Sequence, residues 1–458
     1  METVIEKLAC FTSGTKYADL PTEVTRCAKE RLIDFLSAAI AGSTLWEYNH
    51  PIIQTACDME FLGDSVIVGK EQTVSFPAAA SINCAYAHSV ELDDGHKNAG
   101  IHAGAVVVPT ALVLAEKFGK DGENVLTAIT VGYDVAYRFA ESMSPILLEK
   151  GLHPSSICGT MGAAAAASNI LGFDLEQTER ALSLSALFTS GLMEITHSGQ
   201  SSKGVMVGHA AFAGINAAML AKNGFVAPTH SFSGTKGLFY VMSDNSVNLA
   251  LLTDALGKQF KILDTYVKLY PSCRHTHAPI EGVAALCEDN NINIDDIERI
   301  DIGTHKVAYD LTGRNNFPHD AQEAKFSTSY CVACALQSGT FSVCDLQDDH
   351  IQDEKRRQLC SLVHVFVDDQ VDAEFPQKRG AKIQIFLKNG TCYEKTLYQL
   401  KGAPGLPISY NDLCEKFNNM ASEVINTEQR SLICDLVSKF EKQKNIKEFM
   451  ELLQNASC

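Results

Sequence analysis

Through about residue 260, apolar positions recur at spacings of three and four, the period of helices with one buried face. Leu20 to Ala41 opens with Pro21-Thr22-Glu23 and carries Val24, Ala28, Leu32, Phe35 and Leu36 on one stripe, with Gly42 placed to stop it. Phe76 to Val90 is rich in Ala and Ser. His102 to Gly119 predicts a helix ended by its glycine, with Pro109 marking a kink or a later start. Asn124 to Glu141, Ser156 to Leu171, Glu176 to Ser190 and His209 to Asn223 continue the pattern. So many helices with small residues at their contacts predict a compact, mostly buried helical domain.

The period changes after Asp264. Ile297 to Thr304 alternates apolar and polar residues, as does Lys382 to Leu387, and Asn389-Gly390 turns that strand into Tyr393 to Leu400. His364 to Val367 predicts a further strand, while Ile280 to Cys287 and Ala324 to Leu336 predict helices. The tail from Ser409 to Leu453 is helical again. The expected fold is mainly α, with a large all-helical domain from residues 1–264 plus 403–458 and an inserted α+β domain at 265–402.

Composition narrows the class. Of 458 residues, 46% are hydrophobic and 20% charged, which is a folded globular chain with large cores. Lys plus Arg is 38 against 55 Asp plus Glu, a net charge of −17, and no long basic run exists. Nonspecific binding to nucleic acid or to anionic lipid is therefore not expected. The fifteen cysteines are scattered and odd in number, which points to a reducing compartment. Cys331 and Cys334 form a CxxC pair inside SYCVACAL, an apolar run that reads as helix core. The N-terminal residues do not resemble a signal peptide, and no stretch of about 18 uncharged apolar residues suggests a membrane span. A cytoplasmic enzyme is expected.

Four segments could carry chemistry. His88 to Gly104 holds Glu91, Asp93, Asp94, His96, Lys97 and His102. It reads as a solvated loop, a metal site, or a loop with a histidine acid/base. His153 precedes Pro154 and two serines at a helix start, where free backbone N–H groups suit a carboxylate, or where Ser155 or Ser156 is simply the cap. Lys203 sits among Gly199, Ser201, Ser202 and Gly204, as if on an uncluttered loop. Lys268, Arg274, His275 and His277 lie where the period changes; Arg274 could bind a carboxylate bidentately, and the His-x-His spacing could bind metal.

Five segments together resemble the MmgE/PrpD family, which includes 2-methylcitrate dehydratase, cis-aconitate decarboxylase and iminodisuccinate epimerase. They are AHSVELDDGHKNAGIHAGAVVVP, LHPSSICGTMGAAAAASNILG, QSSKGVMVGHAA, KLYPSCRHTHAP and EAKFSTSYCVACAL, in family order from residue 87 to 336. The resemblance implies that the α+β domain is a lid, that the chain forms a homodimer, and that the site lies in the cleft between domains. It implies no cofactor and no metal. It places catalytic roles on His102, His153, Lys203 and Lys268, and borders the site with Cys273 and His277. The chain departs from the family where Asp-Phe-Asp-Asp-Thr is usual: here the run is Glu91-Leu92-Asp93-Asp94-Gly95, and Ala103 follows His102 where Pro is usual.

The family's reactions all make or protonate a carbanion-like centre beside a carboxylate. On this expectation His102 is the proton shuttle and His153 its partner. Lys203, Lys268 and Arg274 clamp carboxylates, and Asp93 or Asp94 orients a histidine or a substrate hydroxyl. Glu91, His96 and His277 complete the substrate-binding set. The expected activity is a cofactor-independent lyase on a small di- or tricarboxylic acid, first a 2-methylcitrate-type dehydratase, then an epimerase of a small dicarboxylate, then a cis-aconitate-type decarboxylase. A metallohydrolase built on His96, His102, His275 and His277, or a carboxylate-binding scaffold without catalysis, are the other classes.

Overall fold

The computed structural model describes residues 3–44, 46–197 and 202–454, with backbone alone for 46–49, 196 and 197. The chain divides into two compact units. One contains the chain up to Ser89, then Asp93–Val267, then the chain from Ser409 onward. The other contains Val90–Leu92 and Lys268–Ile408. The fold is mainly α, with a smaller α+β portion.

In the first unit the long helices run Thr22–Ser43, Phe76–Ser89, Ala103–Phe118, Gly122–Ser142, Pro154–Leu171 and Lys203–Lys222. Pro154–Leu171 is apolar or small on every face and is buried along almost its whole length, as an all-round apolar helix must be. Small residues set its distance from its neighbours. A Cβ added at Gly162 would lie 2.7 Å from Ala136 Cβ and 2.8 Å from the Gly132 carbonyl oxygen. One at Gly204 would lie 2.7 Å from the Ala85 carbonyl oxygen. The helices of this unit therefore approach backbone to backbone.

Three sequence expectations change. The first helix runs through Gly42 to Ser43 instead of stopping, because its last turn is buried among neighbours. Pro109 lies inside a helix that already starts at Ala103. Lys203 is not on a loop: it is the first residue of the Lys203–Lys222 helix and is buried. Gly199 and Ser201 of that motif lie outside the described residues. This helix is also the one, among the described residues, long and apolar enough to cross a membrane by length and composition, and most of it is buried inside the protein.

The unit also buries charge. Lys416 on the Tyr410–Met420 helix bonds Asp34 Oδ1 at 2.6 Å, and both side chains are almost fully enclosed. Arg138 pairs with Asp134 and donates to the carbonyls of Leu251, Asp254 and Gln259.

The second unit holds a four-stranded sheet in the order Val363–Val367, Ile297–Thr304, Ala381–Leu387, Cys392–Leu397. The first pair is parallel and the other two are antiparallel. Ile302 stands opposite Val365 and Ile383, so one face is a β-branched layer. The helices His277–Asn290 and Thr328–Ser338 complete the same core, and Cys331 and Cys334 are buried in it. The expected helix over Ala324 to Leu336 is broken at residues 325–327, because Ser327 caps a new helix by accepting from the Tyr330 N–H.

Replacing Lys416 with Ala leaves Asp34 buried beside an empty position. The expected loss is about 3 kcal/mol of unfolding free energy, read by urea denaturation, with much of it regained in the Asp34→Asn/Lys416→Met double variant.

Candidate active site

His88 and the stretch from Asp93 to His102 build the polar heart of the first unit. His88 occupies the last turn of the Phe76–Ser89 helix and is fully buried. Its Nδ1 donates to Asp93 Oδ2 at 2.6 Å. Glu91, between them in sequence, has φ +53, a left-handed conformation that costs a residue with a Cβ roughly 1 kcal/mol or more. Gly95–His96 then pairs with Thr265–Tyr266 as a short antiparallel ladder. The next helix starts at Ala103, with His102 at its N-terminal cap position.

His102 is held at three points. Its backbone N–H donates to Ser155 Oγ at 3.1 Å. Its Nδ1 lies 2.6 Å from the Asp94 carbonyl oxygen. A carbonyl only accepts, so Nδ1 carries a proton, and in the neutral ring Nε2 presents a lone pair. Asp93 Oδ1 lies 3.7 Å from the same Nδ1.

Asp94 is the fixed point beneath. Its carboxylate accepts from the Gly104 N–H at 3.2 Å and from the Tyr133 hydroxyl. Burial raises its pKa to about 7, against the opposing pull of the nearby Arg31 guanidinium. Burial also pushes the Tyr133 phenol well above its ordinary range, with the Asp94 charge adding to it.

His153 caps the Pro154–Leu171 helix with its own ring: Nδ1 accepts from the Ser156 N–H at 3.3 Å. The simple serine cap considered from sequence is therefore replaced by a histidine cap, and Ser155 serves His102 instead. With Nδ1 accepting, a neutral His153 carries its proton on Nε2. The His88 ring lies edge-on to both partners, with centroids 5.2 Å from His102 and 6.0 Å from His153. His88 lies inside the first motif but was given no role from sequence. Its signal was a lone imidazole in the Ala-rich face of a buried helix.

His96 has other partners. Its Nδ1 accepts from the Ala99 N–H at 3.1 Å, its ring lies 4.5 Å from Tyr137, and its Nε2 is 3.7 Å from Glu141 and 3.9 Å from Asp264. In the second unit, Lys268 donates to Glu91 Oε2 at 3.0 Å, with both side chains buried. Arg274 donates to His277 Nδ1 at 3.0 Å and to the Lys401 carbonyl at 3.2 Å. His277 Nε2 then points its proton at the Ser272 carbonyl, 3.4 Å away. His275 packs edge-on against His305, and burial pushes its pKa well down.

Donor atoms of His88, Asp93 and His102 lie within 4.8 Å of one another. Within this trio His88 is hydrogen-bonded to Asp93, while His102 turns its Nδ1 proton to the Asp94 carbonyl and faces Asp93 Oδ1 at 3.7 Å. A guanidinium bonded to His277 is a poor neighbour for a cation at the His-x-His pair.

Asp94 sets a pH dependence. Its folded pKa of about 7 stands above the ordinary 3.8, so the folded state holds this proton more tightly than the unfolded chain. Its favourable contribution is complete below pH 4 and is lost as the pH rises through 7. Asp94→Asn should therefore gain stability relative to the native protein between pH 4 and pH 8, by up to about 4 kcal/mol, followed as the difference in unfolding free energy.

Comparison with known proteins places the chain in a family. Residues 6–249 match the MmgE/PrpD N-terminal domain and residues 270–440 the MmgE/PrpD C-terminal domain. The cis-aconitate decarboxylase-like protein oryM of Aspergillus oryzae is 26% identical, over 98% of this chain and 97% of its own length. The cis-aconitate decarboxylase of Aspergillus terreus is 22% identical over 98% and 96%. That of Homo sapiens is 26% identical over 100% and 96%. With both domains of one family matched in order along the chain, the protein belongs to the MmgE/PrpD family and is an enzyme of that type.

Proposed function

We propose that the protein is a lyase that transfers a proton at the carbon next to a carboxylate in a small di- or tricarboxylic acid. The observation that carries this reading is the opposite proton placement on two histidines. His102 gives its Nδ1 proton to a carbonyl and keeps Nε2 as a base. His153 takes a backbone proton on Nδ1 and keeps Nε2–H as an acid. One can remove a proton while the other delivers one, without either histidine first changing tautomer.

In this reading His102 is the proton shuttle and His153 its partner acid. Lys203, Lys268 and Arg274 hold substrate carboxylates and absorb the charge that develops beside them. Lys268 does so in competition with Glu91. Asp93 and Asp94 orient His102.

A base and an acid together are what dehydration requires. The base removes the α-proton and the acid protonates the departing hydroxyl. That favours a hydro-lyase of the 2-methylcitrate type. Decarboxylation requires only an acid for the carbanion left when CO2 departs. The names of the relatives, at 22–26% identity, favour this second reading, with a cis-aconitate-like acid as substrate. Epimerisation would use the same two histidines.

Proton NMR in D2O with citrate, 2-methylcitrate, cis-aconitate and malate tests the proposal. A new alkene signal, with deuterium at the α-carbon of substrate re-formed by the reverse reaction, is expected for dehydration, and a deuterium-bearing product one carboxyl group shorter for decarboxylation. His102→Ala should lower kcat by a factor on the order of 100 to 10,000, with a much smaller change in KM. Unchanged turnover in that variant would remove His102 from the role. We also carry over the homodimer that the family resemblance implies. Sedimentation should then give about twice the 49.7 kDa of one chain.

A further inference from the structure

His88 is neither the base nor the acid of that proton transfer, yet its surroundings are not those of a structural histidine. It is fully buried, its Nδ1 is bonded to Asp93 Oδ2, and its Nε2 has no hydrogen-bond partner among the described residues. A buried imidazole held only for packing would satisfy both nitrogens. Its ring stands edge-on to the two histidines that carry opposite protons.

Asp93 shows what the bond accomplishes. One carboxylate is divided between two imidazoles: Oδ2 takes His88 Nδ1 at 2.6 Å, and Oδ1 faces His102 Nδ1 at 3.7 Å. When His102 takes up a proton on Nε2, the new positive charge spreads over a ring whose Nδ1 faces Oδ1. A charge in so enclosed a place needs an opposite charge held in position. The His88 bond supplies the holding, because it fixes the rotation of the carboxylate. It also keeps Asp93 from turning onto Nδ1 and drawing that proton away from the Asp94 carbonyl.

We propose that His88 is a positioning residue: through Asp93 Oδ2 it points Oδ1 at His102 and so sets how readily His102 accepts a proton. This rests on His102 being the proton shuttle. Other charged or titratable groups around the set come from several elements. They are Arg31 and Asp34 on the Thr22–Ser43 helix, Tyr133 on Gly122–Ser142, and His153 at the cap of Pro154–Leu171. Cys84 lies on the His88 helix and feels the Asp93 charge, Asp94 lies beside Asp93, and the Lys416 ammonium interacts with the Asp93 charge. None of them changes in the variants below.

The test is an NMR titration of the His102 ring in histidine-labelled protein, assigned by its loss in His102→Gln. His88→Phe keeps a ring but removes the donor; His88→Asn keeps a donor near the Nδ1 position. The His102 midpoint should fall by about one pH unit in His88→Phe and return most of the way in His88→Asn, a tenfold change in proton affinity. Asp93→Asn should lower the midpoint too, and His88→Phe added to it should produce no further fall. On a turned-over acid, kcat should drop about tenfold in His88→Phe with KM unchanged, and recover in His88→Asn. If His88→Phe does not fold, His88→Leu, alone and combined with Asp93→Asn, takes its place. Identical His102 titration in the native protein, His88→Phe and Asp93→Asn overturns the proposal. If the native protein turns over none of the acids, the proposed reaction fails, and the titration still judges His88.

Discussion

Asp94 holds the site together with both ends of its residue. Its backbone carbonyl fixes the tautomer of His102, while its carboxylate takes the Tyr133 hydroxyl and the Gly104 N–H in the first turn of the helix that follows His102. The carbonyl cannot move without breaking the carboxylate's bonds. The His102 ring is thus oriented by a residue that is itself held on the far side. Orientation of this kind lets an imidazole act without reorganising its surroundings during the reaction.

The locking depends on how tightly the helices pack. Gly132 and Gly162 bring two helices into backbone contact, and Gly204 brings a third against the helix that carries His88. Such packing excludes water from Asp94, which is why its carboxyl is pushed toward neutrality. Small residues and perturbed titration are therefore one fact seen at two scales. The buried Asp34–Lys416 pair belongs to the same economy: it brings charge to the helix that bears Arg31, whose guanidinium opposes the rise in Asp94.

In the second unit, polar groups are partnered before any substrate arrives. Lys268 is bonded to Glu91, and Arg274 to His277 and a carbonyl. Glu91 is in a strained backbone conformation, and its carboxylate reaches Lys268. An acid that binds Lys268 must exchange one carboxylate for another.

The sequence by itself determined the elements whose burial is periodic. The hairpin around Asn389-Gly390, the Ile297–Thr304 strand and the long helices follow from which positions must leave water. It also determined the family, because five motifs kept their order. It did not reveal that Lys203 begins a helix, since Gly and Ser around it weaken local propensity, and packing against Ala85 overrides that weakness. Nor did it reveal which nitrogen of each histidine carries the proton. That is decided by partners brought close by folding, such as Ser155 for His102 across 53 residues. His88 and Asp93 are five apart in sequence, yet neither helical nor strand periodicity pairs them. Only the turn through Glu91, with its left-handed backbone, folds the carboxylate back onto the imidazole.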